Sequence, residues 1–202
     1  MYPLHVSSTR DRILDAAREI LEKEGEVAPT MSAIARAAGL SRQAVYLHFP
    51  DRTALLVALV EHVDRREDLA AGLETMRAAP DAAAEIRAWV DMQSWRNPRI
   101  APLARALDHA RHRDPASSEA WRDRTSNRMR GAVEIVRRLR RERILHPTWK
   151  SAEAAALLWE MTSFRVWDDL VNDAGMAPER YVEVVTSASL AALAAPVGRR
   201  KR

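Results

Sequence analysis

Between Thr30 and Phe49 two short runs of helical apolar spacing are separated by only three residues, Gly39-Leu40-Ser41. Helices of that length are marginal alone in water, so the pattern calls for two short helices locked together by a tight turn. Thr30 is a candidate N-cap for the first of them, which carries Ile34, Ala35 and Ala38 on one face. Ser41 can cap the second, and the stretch His48-Phe49-Pro50-Asp51-Arg52 closes it. Such a unit needs a small residue where the helices approach, a residue tolerant of positive φ in the turn, and a branched apolar residue to hold the second helix. Ala35, Gly39 and Val45 meet these needs in order.

The flanking sequence reads as helix too. Ile13, Leu14, Ala17, Ile20 and Leu21 form one stripe from Thr9 to Glu24, Ser8 and Asp11 have capping-box spacing, and Gly25 supplies a stop. A further helix starts near Arg52 with Leu55, Leu56, Leu59, Val60 and Val63 as its stripe. Breaks are expected at Ala79-Pro80, Asn97-Pro98, Asp114-Pro115, His146-Pro147 and Gly175 to Pro178, leaving one long helix from about Pro115 to Arg143. With only 6 glycines and an excess of Ala, Leu, Arg and Glu, the fold class is all-α. The expected domains are an N-terminal three-helix helix-turn-helix unit over 1–55 and a C-terminal helical bundle over 56–202.

Net charge gives no support for a nucleic-acid partner. The excess of +4 is supplied entirely by the tail Arg199, Arg200, Lys201 and Arg202. Most of the nine arginines between Arg122 and Arg143 read as a solvated helix face, because Val133, Val136 and Leu139 mark a buried stripe beside them. There is no cysteine, which excludes disulfides and thiolate metal sites. His109 and His112 share a helical face but nothing completes a metal set, and no nucleophile elbow or phosphate loop appears, so neither a cofactor nor an enzyme is expected. No apolar run reaches the roughly 18 residues of a membrane span, and the expected location is the cytoplasm.

The local argument is stronger. On a helical wheel Val45 and Phe49 fall together, Gln43 and Leu47 lie roughly opposite, and Ala44 and Tyr46 flank them. The outward face can therefore meet a DNA groove. Gln43 can pair with an adenine edge, Arg42 with guanine or a phosphate, and Ala44 or Leu47 with a thymine methyl. Tyr46 and His48 suit phosphate oxygens, as do the N-terminus of the preceding helix at Thr30 to Ser32 and the charge of Arg52.

From Thr9 to about Val63 the sequence, with ILDAAREILEKEG followed by TMSAIARAAGLSRQAVYLHFPDRTALLVALV, resembles the tetracycline-repressor (TetR) family of transcriptional regulators. The resemblance implies that Arg42, Gln43, Ala44 and Leu47 lie near bases, and Thr30, Tyr46, His48 and Arg52 near the DNA backbone. Gln43 and Ala44 stand where the family often has Gly followed by Thr or Ser, so no operator sequence can be borrowed. It further implies a homodimer acting on a double-stranded operator, a small-molecule effector, and an effector-binding and dimerisation domain in the remainder.

Beyond Val63 the pattern is less specific. The segments Ala152–Asp173 and Tyr181 onward are apolar on more than one face, and Ala188, Ser189, Ala191 and Ala192 would allow a second copy to approach closely. Trp89, Met92, Trp95, Trp121, Met129, Trp159, Met161, Phe164 and Trp167 are candidates to line a pocket for an apolar effector. The alternative function is a helical ligand-binding or interaction protein that never meets DNA.

Overall fold

In the computed structural model the described residues are 8–24, 29–66, 69–110 and 115–195. Gly25, His112 and the tail Arg199–Arg202 lie outside them, as does the side chain of His109. The described residues form ten α-helices: α1 Thr9–Glu24, α2 Met31–Ala37, α3 Arg42–His48, α4 Arg52–Arg66, α5 Leu69–Arg77, α6 Ala82–Ala110, α7 Pro115–Arg141, α8 Ser151–Met161, α9 Phe164–Asp168 and α10 Pro178–Leu193. A π-helical turn, Asp169–Asp173, follows α9. An antiparallel bridge pairs Leu145 with Ala194.

The chain divides into two compact units, one of residues up to Leu69 with Ile100–Arg122, the other of Ala70–Arg99 with Asp123–Arg202. In the first, α1 packs on α2 and α4, and α2 on α3. Ile13, Leu14, Ala17 and Leu21 of α1, Ile34 of α2, Val45 of α3 and Leu55, Leu56 and Leu59 of α4 are buried. A polar tie accompanies this core: the buried His62 of α4 places Nε2 2.8 Å from an Asp15 carboxylate oxygen and Nδ1 3.5 Å from one of Asp11. The aspartates sit one turn apart on α1, so one imidazole engages both.

In the second unit α10 packs on α8 and on the π-helical turn. Trp89 of α6 is buried and donates from Nε1 to Thr162 Oγ1 at 3.0 Å. Its ring lies against the backbone of α7 at Gly131, where an added Cβ would stand 2.6 Å from Cζ3. Arg138 donates to Glu85 at 3.1 Å, to Glu142 at 2.8 Å and to the Ala79 carbonyl at 2.8 Å. The Ala82 N–H, and then Arg138, hold the Glu142 carboxyl below its ordinary range, so this tie is present above the ordinary carboxylate pKa and lost as pH falls through the lowered value.

Two expectations change. Asn97-Pro98 is not a break, because α6 continues through both Pro98 and Pro102; each proline removes one backbone bond, while a stripe from Ile86 through Val90, Ile100 and Leu107 is buried along the helix and outweighs that loss. The segment Ala152–Asp173 is not one helix. Ser163 Oγ accepts from Val166 N at 3.1 Å and starts α9 anew. Most of the arginines between Arg122 and Arg143 lie on a solvated face, as expected: Arg122, Arg130, Arg137, Arg140, Arg141 and Arg143 are exposed, while Arg128 and Arg138 turn inward to partners.

Two glycines separate packing from propensity. Gly131→Ala should destabilise by about 1–3 kcal/mol, since the anchored Trp89 ring must move. Gly72→Ala, whose Cβ would meet only the flexible Met92 side chain at 3.4 Å, should be neutral or stabilise by up to about 1 kcal/mol. Urea unfolding of both variants checks the opposite signs.

Candidate nucleic-acid interface

The geometry of α2 and α3 follows from three local devices. Thr30 Oγ1 accepts from Ala33 N and Ser41 Oγ from Ala44 N, each at 3.1 Å, so both helices begin on side-chain caps. Between them Gly39 takes φ +66°. Gly39 N donates to Arg36 O at 3.2 Å and Leu40 N to Ala35 O at 2.9 Å, the paired bonds of a Schellman stop. An added Cβ would meet nothing within 4 Å, so glycine is favoured here for its backbone angle, not for space. Arg12 of α1 braces the turn by donating from Nη2 to the Ala38 carbonyl at 3.0 Å.

These devices orient α3 with one side in and the other out. Val45 is 0% exposed and Phe49 buried, with the Arg10 guanidinium 5.1 Å from the Phe49 ring centroid. Leu47 is 82% and Tyr46 39% exposed. Arg42, Gln43 and His48 are exposed and Ala44 is half-buried. Arg42 spans one turn to Tyr46, its Nη2 donating to the hydroxyl at 3.2 Å and its guanidinium lying 5.4 Å from the ring centroid. Thr30 and Ser32 at the start of α2 and Arg52 at the start of α4 are exposed as well. The Thr30 hydroxyl accepts from its own helix and keeps its proton to donate outward. All nine sequence candidates for DNA thus lie in the first unit with reach to solvent. Asp51, which the sequence reading left unassigned, caps α4 by accepting from Ala54 N at 2.8 Å; the Asp-x-x-Ala spacing was its signal.

The nine effector candidates are distributed differently. Trp89, Met92 and Trp167 are buried, Met129, Trp159, Met161 and Phe164 are half-buried, and Phe164 meets Trp167 with ring centroids 5.9 Å apart. Trp95 is exposed with Arg99 over its ring at 4.3 Å, and Trp121 belongs to the first unit. A surface cavity of about 470 Å³ between α7 and α8 is lined by Arg140, Arg143, His146, Trp149 and Lys150 among others, and by none of the nine. Among the described residues no group of three His, Asp or Glu side chains is placed to hold a metal ion, and no helix is long and apolar enough to cross a membrane.

A capped helix-turn-helix presenting an apolar and amide-bearing helix face defines a DNA-binding module. Residues 13–59 match the model for bacterial regulatory proteins of the tetR family. The HTH-type transcriptional repressor Rv1474c of Mycobacterium tuberculosis is 30% identical over 141 residues, 66% of this chain and 67% of that protein. Among solved structures, NalD of Pseudomonas aeruginosa superposes with TM-score 0.65 at 20% identity, covering 92% of this chain and 95% of that one. A SmeT–triclosan complex gives 0.68 at 20% identity, covering 96% and 98%. The chain belongs to the TetR family of transcriptional regulators, a class of DNA-binding proteins and not of enzymes.

Val45→Ala should cost about 2 kcal/mol and loosen α3, whereas Leu47→Ala should stay within about 0.5 kcal/mol of the parent. Thermal unfolding that ranked them the other way would show α3 to be rotated from the orientation described.

Proposed function

We propose that the protein represses transcription in the cytoplasm as a homodimer whose two α3 helices enter successive major grooves of an operator, and that a small-molecule effector releases it. The observation that carries this reading is the exposure of Leu47 and Tyr46 on a helix whose back, Val45, is sealed. Leu47 and Tyr46 stand beside Arg42 and Gln43 on the exposed side of α3, a mixture of apolar, amide and cationic groups that base edges and thymine methyls in a groove can meet. Arg42, Gln43, Ala44 and Leu47 read base edges, and Thr30, Ser32, Tyr46, His48 and Arg52 fix the register on phosphates. Repression is supported by the relative from M. tuberculosis, which is a repressor, and by NalD, the secondary repressor of a multidrug efflux pump. Effector control is supported by SmeT, whose solved complex holds triclosan.

Residues 1–55 carry the reading function and 56–202 the effector and dimer functions. The compact units divide the chain elsewhere because α6 and α7 each run through both. For the dimer, Ala188 and Ala191 of α10 are exposed and Ala192 half-buried, with Ala152 and Ala156 exposed on α8. Ser189, expected on the same face, is buried inside its own unit and is not available to a partner. A two-fold dimer places its reading helices about 34–36 Å apart, one turn of duplex.

A mobility shift on the promoter next to the reading frame tests the assignment. Gln43→Ala should weaken specific binding by about 10- to 100-fold and relax the choice of one base pair. Arg52→Ala should weaken binding to all sequences alike and lower the salt slope by about one. Absence of any shift at low salt on any fragment would overturn the reading. Ala188→Arg should shift the mass in sedimentation from dimer to monomer and abolish tight operator binding with it.

A further inference from the structure

The interior of the unit built from 70–99 and 123–195 contains an unbalanced set of polar groups. Arg128 of α7 is half-buried, donates to the main-chain carbonyl of Trp159, lies 3.5 Å from Thr162 Oγ1 and stacks 4.7 Å from the Trp159 ring centroid. No carboxylate among the described residues hydrogen-bonds it. Burial pushes its pKa down to about 10, opposed by the Glu160 carboxylate and, only in its phenolate form, by Tyr181, with Arg96 adding to the shift. Tyr181 of α10, close enough to couple electrostatically, is 0% exposed, and its hydroxyl has no hydrogen-bond partner among the described residues. Burial raises the pKa of that phenol, which stays protonated and able to donate.

Other groups of the same unit share the condition. Trp167 Nε1 and Asn97 Nδ2 are buried without partners among the described residues, as are the hydroxyls of Thr186 and Ser189. Every one of these atoms whose hydrogen-bonding sense is fixed is a donor. A buried donor left unmade costs on the order of 1–3 kcal/mol, and Phe at 181 would avoid it. Each such group needs a partner that the described residues do not supply.

Resting on the reading of 56–202 as the effector-binding part, we propose that the effector is an organic acid, its carboxylate held between the Arg128 guanidinium and the Tyr181 hydroxyl and its apolar body against the ring of Trp159. The planar fork of arginine matches a carboxylate with two parallel bonds, and a bond to an ionised acceptor is about twice as strong as one to a neutral carbonyl. The acid therefore outcompetes the Trp159 carbonyl for Arg128. Arg128 leaves the last turn of α8, next to the Thr162–Ser163 junction where α9 begins.

The test uses benzoate, indole-3-acetate and decanoate at neutral pH, each beside its primary amide, with melting temperature and operator release as readouts. At least one acid should raise the melting temperature and release DNA, at concentrations about 10- to 100-fold below its amide. Arg128→Met should lose that response. Tyr181→Phe should keep or raise the melting temperature without ligand, because it deletes an unpaired hydroxyl, and still weaken the response to the acid. A purely packing role for Tyr181 would leave the acid response intact. Amides acting as well as acids, no response to any of the three acids, or a parental response in Arg128→Met would each overturn the proposal. Failure of the regulator reading is separate, since it appears as absent operator binding before any ligand is added, while melting temperature still judges the acid site.

Discussion

The left-handed turn at Gly39 sets the rest of the reading surface. With φ at +66° it closes two backbone bonds onto α2 and delivers Ser41 where its side chain can cap α3. Once that angle is fixed, helical periodicity leaves no freedom: Val45 must face α2 and Leu47 must face away. Arg12 holds the turn from α1, and His62 joins α4 to the same helix through Asp11 and Asp15. The seven residues of α3 are too few to be stable alone, and these tertiary contacts supply what length does not.

The same stop recurs at the end of α7, where Arg143 N donates to Arg140 O at 3.0 Å and Ile144 N to Leu139 O at 2.9 Å, with Arg143 at φ +60°. An arginine there bears a left-handed cost of roughly 1–2 kcal/mol that glycine at the first turn avoids. The bonds around Arg143 are joined by His146 N to Leu193 O at 2.7 Å and Ala195 N to Ile144 O at 2.8 Å, which tie the turn to the end of α10. Geometry can thus be imposed from outside where the local residue opposes it. A turn of that kind is invisible to a reading that looks for glycine.

This contrast explains what was legible in the sequence. The bounds of α1 to α4 are written in nearby residues: Ser8 with Asp11, Thr30 with Ala33, Ser41 with Ala44 all close within three positions. The course of α6 through Pro98 and Pro102 is decided by side chains far along the chain, so local breaker rules point the wrong way. Which arginines of α7 turn inward is not legible in the run itself, because charge spacing holds no record of Glu85, 53 residues away from Arg138. Among the aromatic candidates, Trp89 goes in because Gly131 leaves room for its ring, and Trp95, six residues later on the same helix, stays out.

The two proposed functional surfaces depart from ordinary folding preference in opposite senses. On α3 an apolar side chain, Leu47, is held in water, and within the second unit polar donors at Tyr181, Trp167 and Asn97 are held away from it. The unpaired donors cost stability that Tyr181→Phe would restore, whereas exposed Leu47 costs the fold little; each is proposed as the complement of something the chain does not itself contain, a methyl-lined groove in one case and an acceptor in the other. Both sites are also kept on regular helices, where the backbone satisfies its own hydrogen bonds and only the side chains remain uncompensated. That confines the penalty to a few groups and leaves the remaining core free to hold them rigid. A partner that supplies the missing contact then gains its full worth, because little ordering of the protein remains to be done on binding.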